Sequence, residues 1–256
     1  MNFNFRESLF RVWYWYVSKV DKNAQITFMN YGFSDKGMEV VIEKEDEPNR
    51  YPIQLYHHLA CEIDIKGKDI VEIGSGRGGG LSYVTSTFLP ATAKGVDLND
   101  RAVSFCNDYY SQNGLSFIQS DAQNLSLEKE SCDVILNVES SHRYPNMVAF
   151  INEVSRILRP NGHFLYTDFR YDHEMEELDE QLAKSGLLIL KRRIINNEVI
   201  AALELDDLRR RKLVRKMTPR FLHKVALNFS GAIGSETYNQ FLSQKYIYFS
   251  YIFKKV

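Results

Sequence analysis

The sequence predicts an α/β fold in which a mostly parallel sheet is covered by helices on both faces. Three observations predict it. From Lys68 onward, short apolar runs alternate with longer helical patterns, the signature of repeated β-α-β units. The first apolar run passes straight into the glycine-rich turn of "VEIGSGRGGG" (71–80), the place where such sheets hold ligands. The last apolar run, "KYIYFSYIFKK", is followed by no helix, so it is expected at the sheet edge, antiparallel to its neighbour.

The elements follow in order. Residues 1–63 form an aromatic N-terminal region. In "SLFRVWYWYVSKV", Phe10, Trp13, Tyr14 and Val17 share one side at helical spacing. That predicts a helix docked on the main domain, with a lid over an apolar site or a membrane-surface contact as the sharper alternative. "EKEDEPNRYP" is acidic, holds two prolines and reads as a loop, and "IQLYHHLACEI" reads as a helix. A core over 64–195 comes next. Its strands are "DIVEIG", "AKGVDL", "LSFIQS", "CDVILNV" and "HFLYTDF". Between them lie the helices "GGLSYVTSTFL", "DRAVSFCNDYYSQNG", stopped at Gly114, and "MVAFINEVSRILRPNG", closed by Pro160 and Gly162. "HEMEELDEQLAKSG" is a further helix and "LLILKRRII" a sixth strand. Residues 196–244 are largely helical and are expected as an insertion capping the sheet; 245–256 supply the seventh strand. The sum is a Rossmann-like seven-stranded sheet with an antiparallel last strand, a helical N-terminal lid and a helical cap insertion.

Composition narrows the class. The 256 residues are 44% hydrophobic and 25% charged, ordinary for a globular protein, and the net charge of −1 offers no whole-surface field for nucleic acid or membrane. No apolar run approaches the roughly 20 residues that span a bilayer. "MNFNFRESLF" lacks the basic and apolar regions of a signal peptide. Three cysteines, Cys61, Cys106 and Cys132, without a C-x-x-C, suit reduced thiols in the cytoplasm. Six histidines without metal-ligand spacing predict no metal site.

Gly74, Gly76 and Gly79 spell G-x-G-x-x-G, which by itself fits a dinucleotide as well as a lone nucleoside. Asp97, at the end of the second strand and 21 residues after Gly76, suits ribose hydroxyls under either reading. Glu72 separates the two. A carboxylate two residues before the first glycine would repel a pyrophosphate and would suit S-adenosylmethionine, which carries an ammonium and a sulfonium. Asp121 in "SDAQNL", at the end of the third strand, can take the adenine amino proton. The candidate cofactor residues are thus Glu72, Gly74, Ser75, Gly76, Gly79 and Asp97, with Leu98, Asp121, Ala122, Asn137 and Tyr31. Tyr31, in "MNYGF", is placed over the methionine end. S-adenosyl-L-homocysteine is the expected product. An NAD-dependent oxidoreductase is the rival from another class.

"VEIGSGRGGG", "GVDLN", "SDAQNL", "ILNVESSHRYP" and "RILRPNGHFLYTDFR" together resemble the class I S-adenosylmethionine-dependent methyltransferases. "DEPNR", "LYHHLA", "INNEV" and "NVESSHRYP" bring the resemblance closer to the phthiotriolone and phenolphthiotriolone dimycocerosate methyltransferases, which are lipid O-methyltransferases. The likeness covers most of the chain except 200–240, where little aligns. It implies a seven-stranded sheet with an antiparallel last strand and a hydrophobic small-molecule or lipid acceptor. It also implies a His and an Asp as catalytic groups in related small-molecule enzymes.

Methyl transfer is an in-line displacement that rewards alignment and exclusion of water. A hydroxyl acceptor must also lose its proton. His142, after the fourth strand, is the candidate base, with an ordinary pKa of ~6.5 suited to neutral pH. Asp168, ending the fifth strand, can orient His142 or meet the acceptor. Glu139 is left between a cofactor contact and a loop cap. One of His57 and His58 could line the cofactor mouth. The basic run Arg209 to Lys216 reads as a solvated face, or as a contact for acidic lipid. A nucleic-acid methyltransferase would show N-P-P-Y where this chain reads "NVESSH", so no nucleic acid is expected. Transfer to carbon on a sterol- or quinone-like acceptor is the serious chemical rival. A protein methyltransferase stays open, although an aromatic lid and a helical cap suit a closed apolar pocket.

Overall fold

A computed structural model describes residues 24–38 and 40–256; the predicted aromatic helix over residues 8–20 lies outside the described residues. Seven strands form one sheet in the order β3-β2-β1-β4-β5-β7-β6. They are β1 (Asp69–Ile73), β2 (Thr92–Asp97), β3 (Leu115–Gln119), β4 (Cys132–Val138), β5 (Leu158–Tyr171), β6 (Leu187–Ile194) and β7 (Tyr246–Lys255). The β1–β2, β2–β3, β1–β4 and β4–β5 pairs are parallel, and β7 is antiparallel to both β5 and β6.

The place of β7 corrects the sequence expectation. It is antiparallel, as expected, but lies between β5 and β6 and not at the edge. Burial explains why. Tyr246, Tyr248, Phe249, Tyr251, Ile252 and Phe253 are all buried, so both faces of the strand are apolar, the pattern of an interior strand. In β6 most side chains are exposed and Lys191, Arg192 and Arg193 interrupt it; charges of this kind keep an edge from pairing further.

The helices are α1 (Arg50–Ala60), α2 (Gly79–Phe88), α3 (Asp100–Tyr109), α4 (Met147–Ile157) and α5 (Met175–Ala183). The insertion between β6 and β7 then holds α6 (Asn196–Met217), α7 (His223–Phe229) and α8 (Glu236–Leu242). α4 stops at Ile157, earlier than the "RILRPNG" reading. Pro160 pushes the residue before it toward extended backbone, and β5 has already begun at Leu158.

Alternation along β1 divides the core. Ile70 joins a cluster with Tyr56, Leu81 and Val134, while Val71 and Ile73 join one with Ile135, Phe150 and Phe164 on the other face. Glu72 therefore falls on the Tyr56 side, fully buried. Asn196 fastens the insertion at its root. Its amide donates to the Phe241 and Tyr246 carbonyls (3.1 and 2.7 Å) and accepts from the Tyr248 N–H (2.8 Å).

Candidate active site

Strand order reverses between β1 and β4, and ligands of doubly wound sheets bind at the carboxyl ends of the strands at such a point. A cavity of about 1010 Å³ opens there. Its wall is made by Gly74–Arg77 after β1, Asp97–Arg101 after β2, Ser120–Gln123 after β3, Val138–Ser140 and His142–Pro145 after β4, and Phe169–Tyr171 at the end of β5. Thr27–Asn30 cross from the N-terminal side, and Tyr246 closes one flank.

The glycine turn is built for close approach. Gly74 adopts φ 77°, and a Cβ there would come within 2.4 Å of Ser140 Oγ. The Asp97 carboxylate accepts the Gly76 N–H (2.8 Å) and the Asn99 N–H (2.9 Å), so turn and acid are fixed together on the wall. Leu98 and Ala122 line the same cavity. Asp121 lies two residues past the end of β3. Its Oδ1 accepts both the backbone N–H and the side-chain amide of Gln123 (2.9 and 3.1 Å), a self-bonded turn.

Glu72 sits behind the turn. It is fully buried, and its Oε1 accepts the Tyr56 hydroxyl (2.7 Å). Burial pushes its pKa up to about 8; the Tyr56 bond opposes this and Asp97 adds to it. Glu72 Oε2 and Ser75 Oγ are buried without a hydrogen-bond partner. Such orphaned atoms cost free energy until a donor reaches them. An aminoacyl nucleoside with a cationic end fits these acceptors; a pyrophosphate would add charge beside a buried acid.

Besides Glu72, three more cofactor candidates stand off the cavity wall. Asn137 is buried and donates to the Ile73 carbonyl (2.8 Å) and to Ser140 Oγ (2.8 Å), bracing the two loops. The Gly79 N–H faces the Thr27 carbonyl (3.2 Å). The Tyr31 ring packs against Phe169 and Phe241, with centroids 5.7 and 5.1 Å away, behind the cavity wall. The histidine pair also falls elsewhere. His58 is buried, stacked on Phe33 and bonded to Ser250 Oγ (3.2 Å), and His57 Nδ1 lies 2.8 Å from the Tyr83 hydroxyl.

His142 and Asp168 meet. His142 lies in a 3-10 turn, Ser141–Arg143, just after β4. Its Nδ1 is 2.8 Å from Asp168 Oδ1, and its backbone N–H donates to Asp168 Oδ2 (3.0 Å). A carboxylate on Nδ1 favours the tautomer with the proton there, leaving the Nε2 lone pair outward. Arg143 Nε donates to Nε2 at 3.3 Å. Burial pushes the His142 pKa below its usual value, against the pull of Asp168. Burial would raise the Asp168 carboxyl, but His142 and Arg170 hold it well below the carboxylate range.

Sequence reasoning missed the frame around this pair. Ser141 Oγ donates to Asp168 Oδ2 (2.5 Å), Arg170 Nη2 donates to Ser141 Oγ (2.8 Å), and Arg170 Nη1 is 3.3 Å from Asp168 Oδ2. Glu139, in the left-handed region at φ 46°, turns its Oε1 to the Tyr31 N–H (2.7 Å) and to the Tyr248 hydroxyl. Burial pushes its pKa up to about 8. The adjacency of "ESSHR" was the one available signal for Ser141; nothing local marked Tyr248.

Comparison with known proteins gives the family. A methyltransferase-domain family model matches residues 71–166. The fatty-acid O-methyltransferase of Mycolicibacterium smegmatis is 43% identical over 212 residues, covering 82% of this chain and 77% of that protein. The phthiotriol/phenolphthiotriol dimycocerosates methyltransferase of Mycobacterium tuberculosis is 39% identical over 249 residues, covering 96% and 92%. The fold matches geranyl diphosphate C-methyltransferase from Streptomyces coelicolor, solved with S-adenosyl-L-homocysteine, at a TM-score of 0.69 and 14% identity, over 100% of both chains. With its glycine turn, its strand-end acids and relatives of this identity over nearly the whole chain, the protein belongs to the class I S-adenosylmethionine-dependent methyltransferases.

Proposed function

We propose that this enzyme methylates an oxygen of a hydrophobic, lipid-like acceptor, with His142 as the base and Asp168 as the group that positions it. The observation that carries the reading is the 2.8 Å contact of His142 Nδ1 with Asp168, with His142 on the cavity wall beside Phe169, Tyr171 and Tyr246. An imidazole held this way takes a hydroxyl proton on Nε2 and becomes an imidazolium facing a carboxylate. The acceptor hydroxyl displaces the exposed Arg143 from Nε2. The relatives named for fatty acid and for phthiotriol support an apolar acceptor.

For the cofactor, Asp97 would take the ribose hydroxyls and Asp121 the adenine amino group, with Leu98 and Ala122 against the base. Glu72 and the Gly74–Gly76 turn, including Ser75, would receive the methionine end. Asn137, Gly79 and Tyr31 would hold that site from behind. When bound, S-adenosylmethionine supplies a methyl group on a sulfonium, an electrophile that needs only a lone pair in line. Cys61, Cys106 and Cys132 are free, which suits a reducing compartment such as the cytoplasm.

The test is label transfer from methyl-labelled S-adenosylmethionine to separated lipid, RNA and protein pools. Label is expected in the lipid pool, as an O-methyl by product mass. Label on carbon, or in RNA or protein, would overturn the acceptor reading and leave the family standing.

A further inference from the structure

The outer face of α6 carries charge and apolar surface that the fold does not use. Val199, Leu203, Arg210 and Val214 turn inward at helical spacing and are buried. On the opposite side Leu205 and Leu208 are 62% and 75% exposed, and Lys212 and Arg215 continue the same face. The turn into α7 adds Phe221, 83% exposed, flanked by Arg220 and Lys224. Between Leu208 and Ser235 the sequence holds eight Lys or Arg and no Asp or Glu, in a chain whose net charge is only −1. Arg209, Arg210 and Arg211 are ion-paired with Asp206 and Asp207. The remaining five, Lys212, Arg215, Lys216, Arg220 and Lys224, are exposed and have no ion-pair partner among the described residues.

We propose that this face, the outer side of α6 with the turn into α7, docks the enzyme on an anionic lipid surface. Charge complementarity selects the partner: the five exposed cations of the patch face one exposed acid, Glu204, while the whole chain is balanced. Its apolar members select a bilayer over a nucleic acid. Leu205, Leu208 and Phe221 gain by entering the headgroup boundary, whereas a phosphate backbone rewards only the cations. The inner face of the same helix touches the active-site wall. Arg210 Nη2 donates to the Tyr31 carbonyl (2.9 Å) and lies 3.5 Å from the Asn30 carbonyl, and Asn30 lines the cavity. A docked α6 thus holds the cavity near the bilayer, where a water-insoluble acceptor resides. That use rests on the lipid-acceptor reading; the docking itself does not.

The experiment is co-sedimentation of the full chain with phosphatidylcholine vesicles, with and without phosphatidylglycerol, at low and high salt. Binding is expected only with phosphatidylglycerol and is expected to weaken in salt. Lys212→Glu with Arg215→Glu should lower affinity at least about tenfold, since each cation near such a surface contributes about fivefold. Leu208→Ser with Phe221→Ser should weaken binding while leaving the salt response in place. Both variants should keep wild-type melting temperature and wild-type transfer to a short, water-soluble acceptor. Equal binding to both vesicle types, no binding, or charge-reversal variants that bind like wild type would overturn the proposal. So would an RNA oligomer that binds independently of Phe221, or a concentration-dependent dimer through this face in place of vesicle binding. Vesicle binding without label in lipid would sink the acceptor reading alone.

Discussion

His142 is held by buried Asp168 at Nδ1 and meets the exposed Arg143 at Nε2, and the proposed role as base rests on that asymmetry. His142→Ala should lower kcat about 10²- to 10⁴-fold while calorimetry finds S-adenosylmethionine affinity unchanged; wild-type kcat would end the assignment. Because burial lowers the His142 pKa, the wild-type acid limb of kcat should lie below about pH 6.5. Glu72 offers a second test. Its pKa of about 8 leaves it mostly protonated at neutral pH, and an ammonium beside it favours the charged form. Cofactor binding at pH 7 should therefore release a proton, measured by calorimetry in buffers of different ionisation heat, and Glu72→Gln should abolish the release. An unchanged proton count in that variant would remove the ammonium from Glu72. The placement of Glu72, Asp97 and His142 was legible because strand ends and a glycine turn mark their own positions. Tyr56, Ser141, Arg170 and Tyr248 were not, because each acts on a partner that only the folded chain brings near.

Among the elements, α1 and α2 meet at a contact that admits no side chain. A Cβ on Gly80 would fall 1.8 Å from Tyr56 Cζ, and Tyr56 also holds Glu72. Gly80→Ala should cost about 1–3 kcal/mol, read as a drop in melting temperature of about 2–10 °C, with weakened cofactor binding. Tyr56→Phe should leave the melt closer to wild type, since the ring still fits; an unaltered Gly80→Ala melt would contradict the close contact. The strands of the core were legible as apolar runs, and so was the antiparallel sense of β7. Its place inside the sheet was readable in "YIYFSYIF" beside "LLILKRRI", once continuous burial and edge charge are compared.

Across the whole molecule, the buried titratable groups set a stability optimum. In the unliganded protein Glu72 and Glu139 have pKa values of about 8 against an ordinary 4.5, so the folded state binds extra protons in that window. Their contribution is complete below the unfolded value and is lost as pH rises toward 8 and beyond. His58, pushed by burial down to about 4, and His142, also lowered, act oppositely: unfolding takes up protons below 6.5, and stability rises with pH there. Together these shifts place the highest melting temperature on the acid side of pH 6.5, with a fall from there toward pH 8 that is shallower with cofactor bound. A melt that keeps rising to about pH 9 would show that Glu72 and Glu139 ionise freely in the fold. The insertion's existence was readable from its helical composition; its attachment through Asn196 and Arg210 was not, because both reach partners distant in sequence.

The position of β7 also governs the order in which the molecule can be completed. On a ribosome, β1 to β5 emerge first and can pair as they appear, but β5 then presents an unsatisfied flank, and β6 has nothing to join. Both wait through the synthesis of α6 to α8 until the strand that separates them arrives, with His163 pairing at last with Lys254. Nascent chains stalled within the insertion would carry an exposed apolar strand and be sticky for chaperones or for one another.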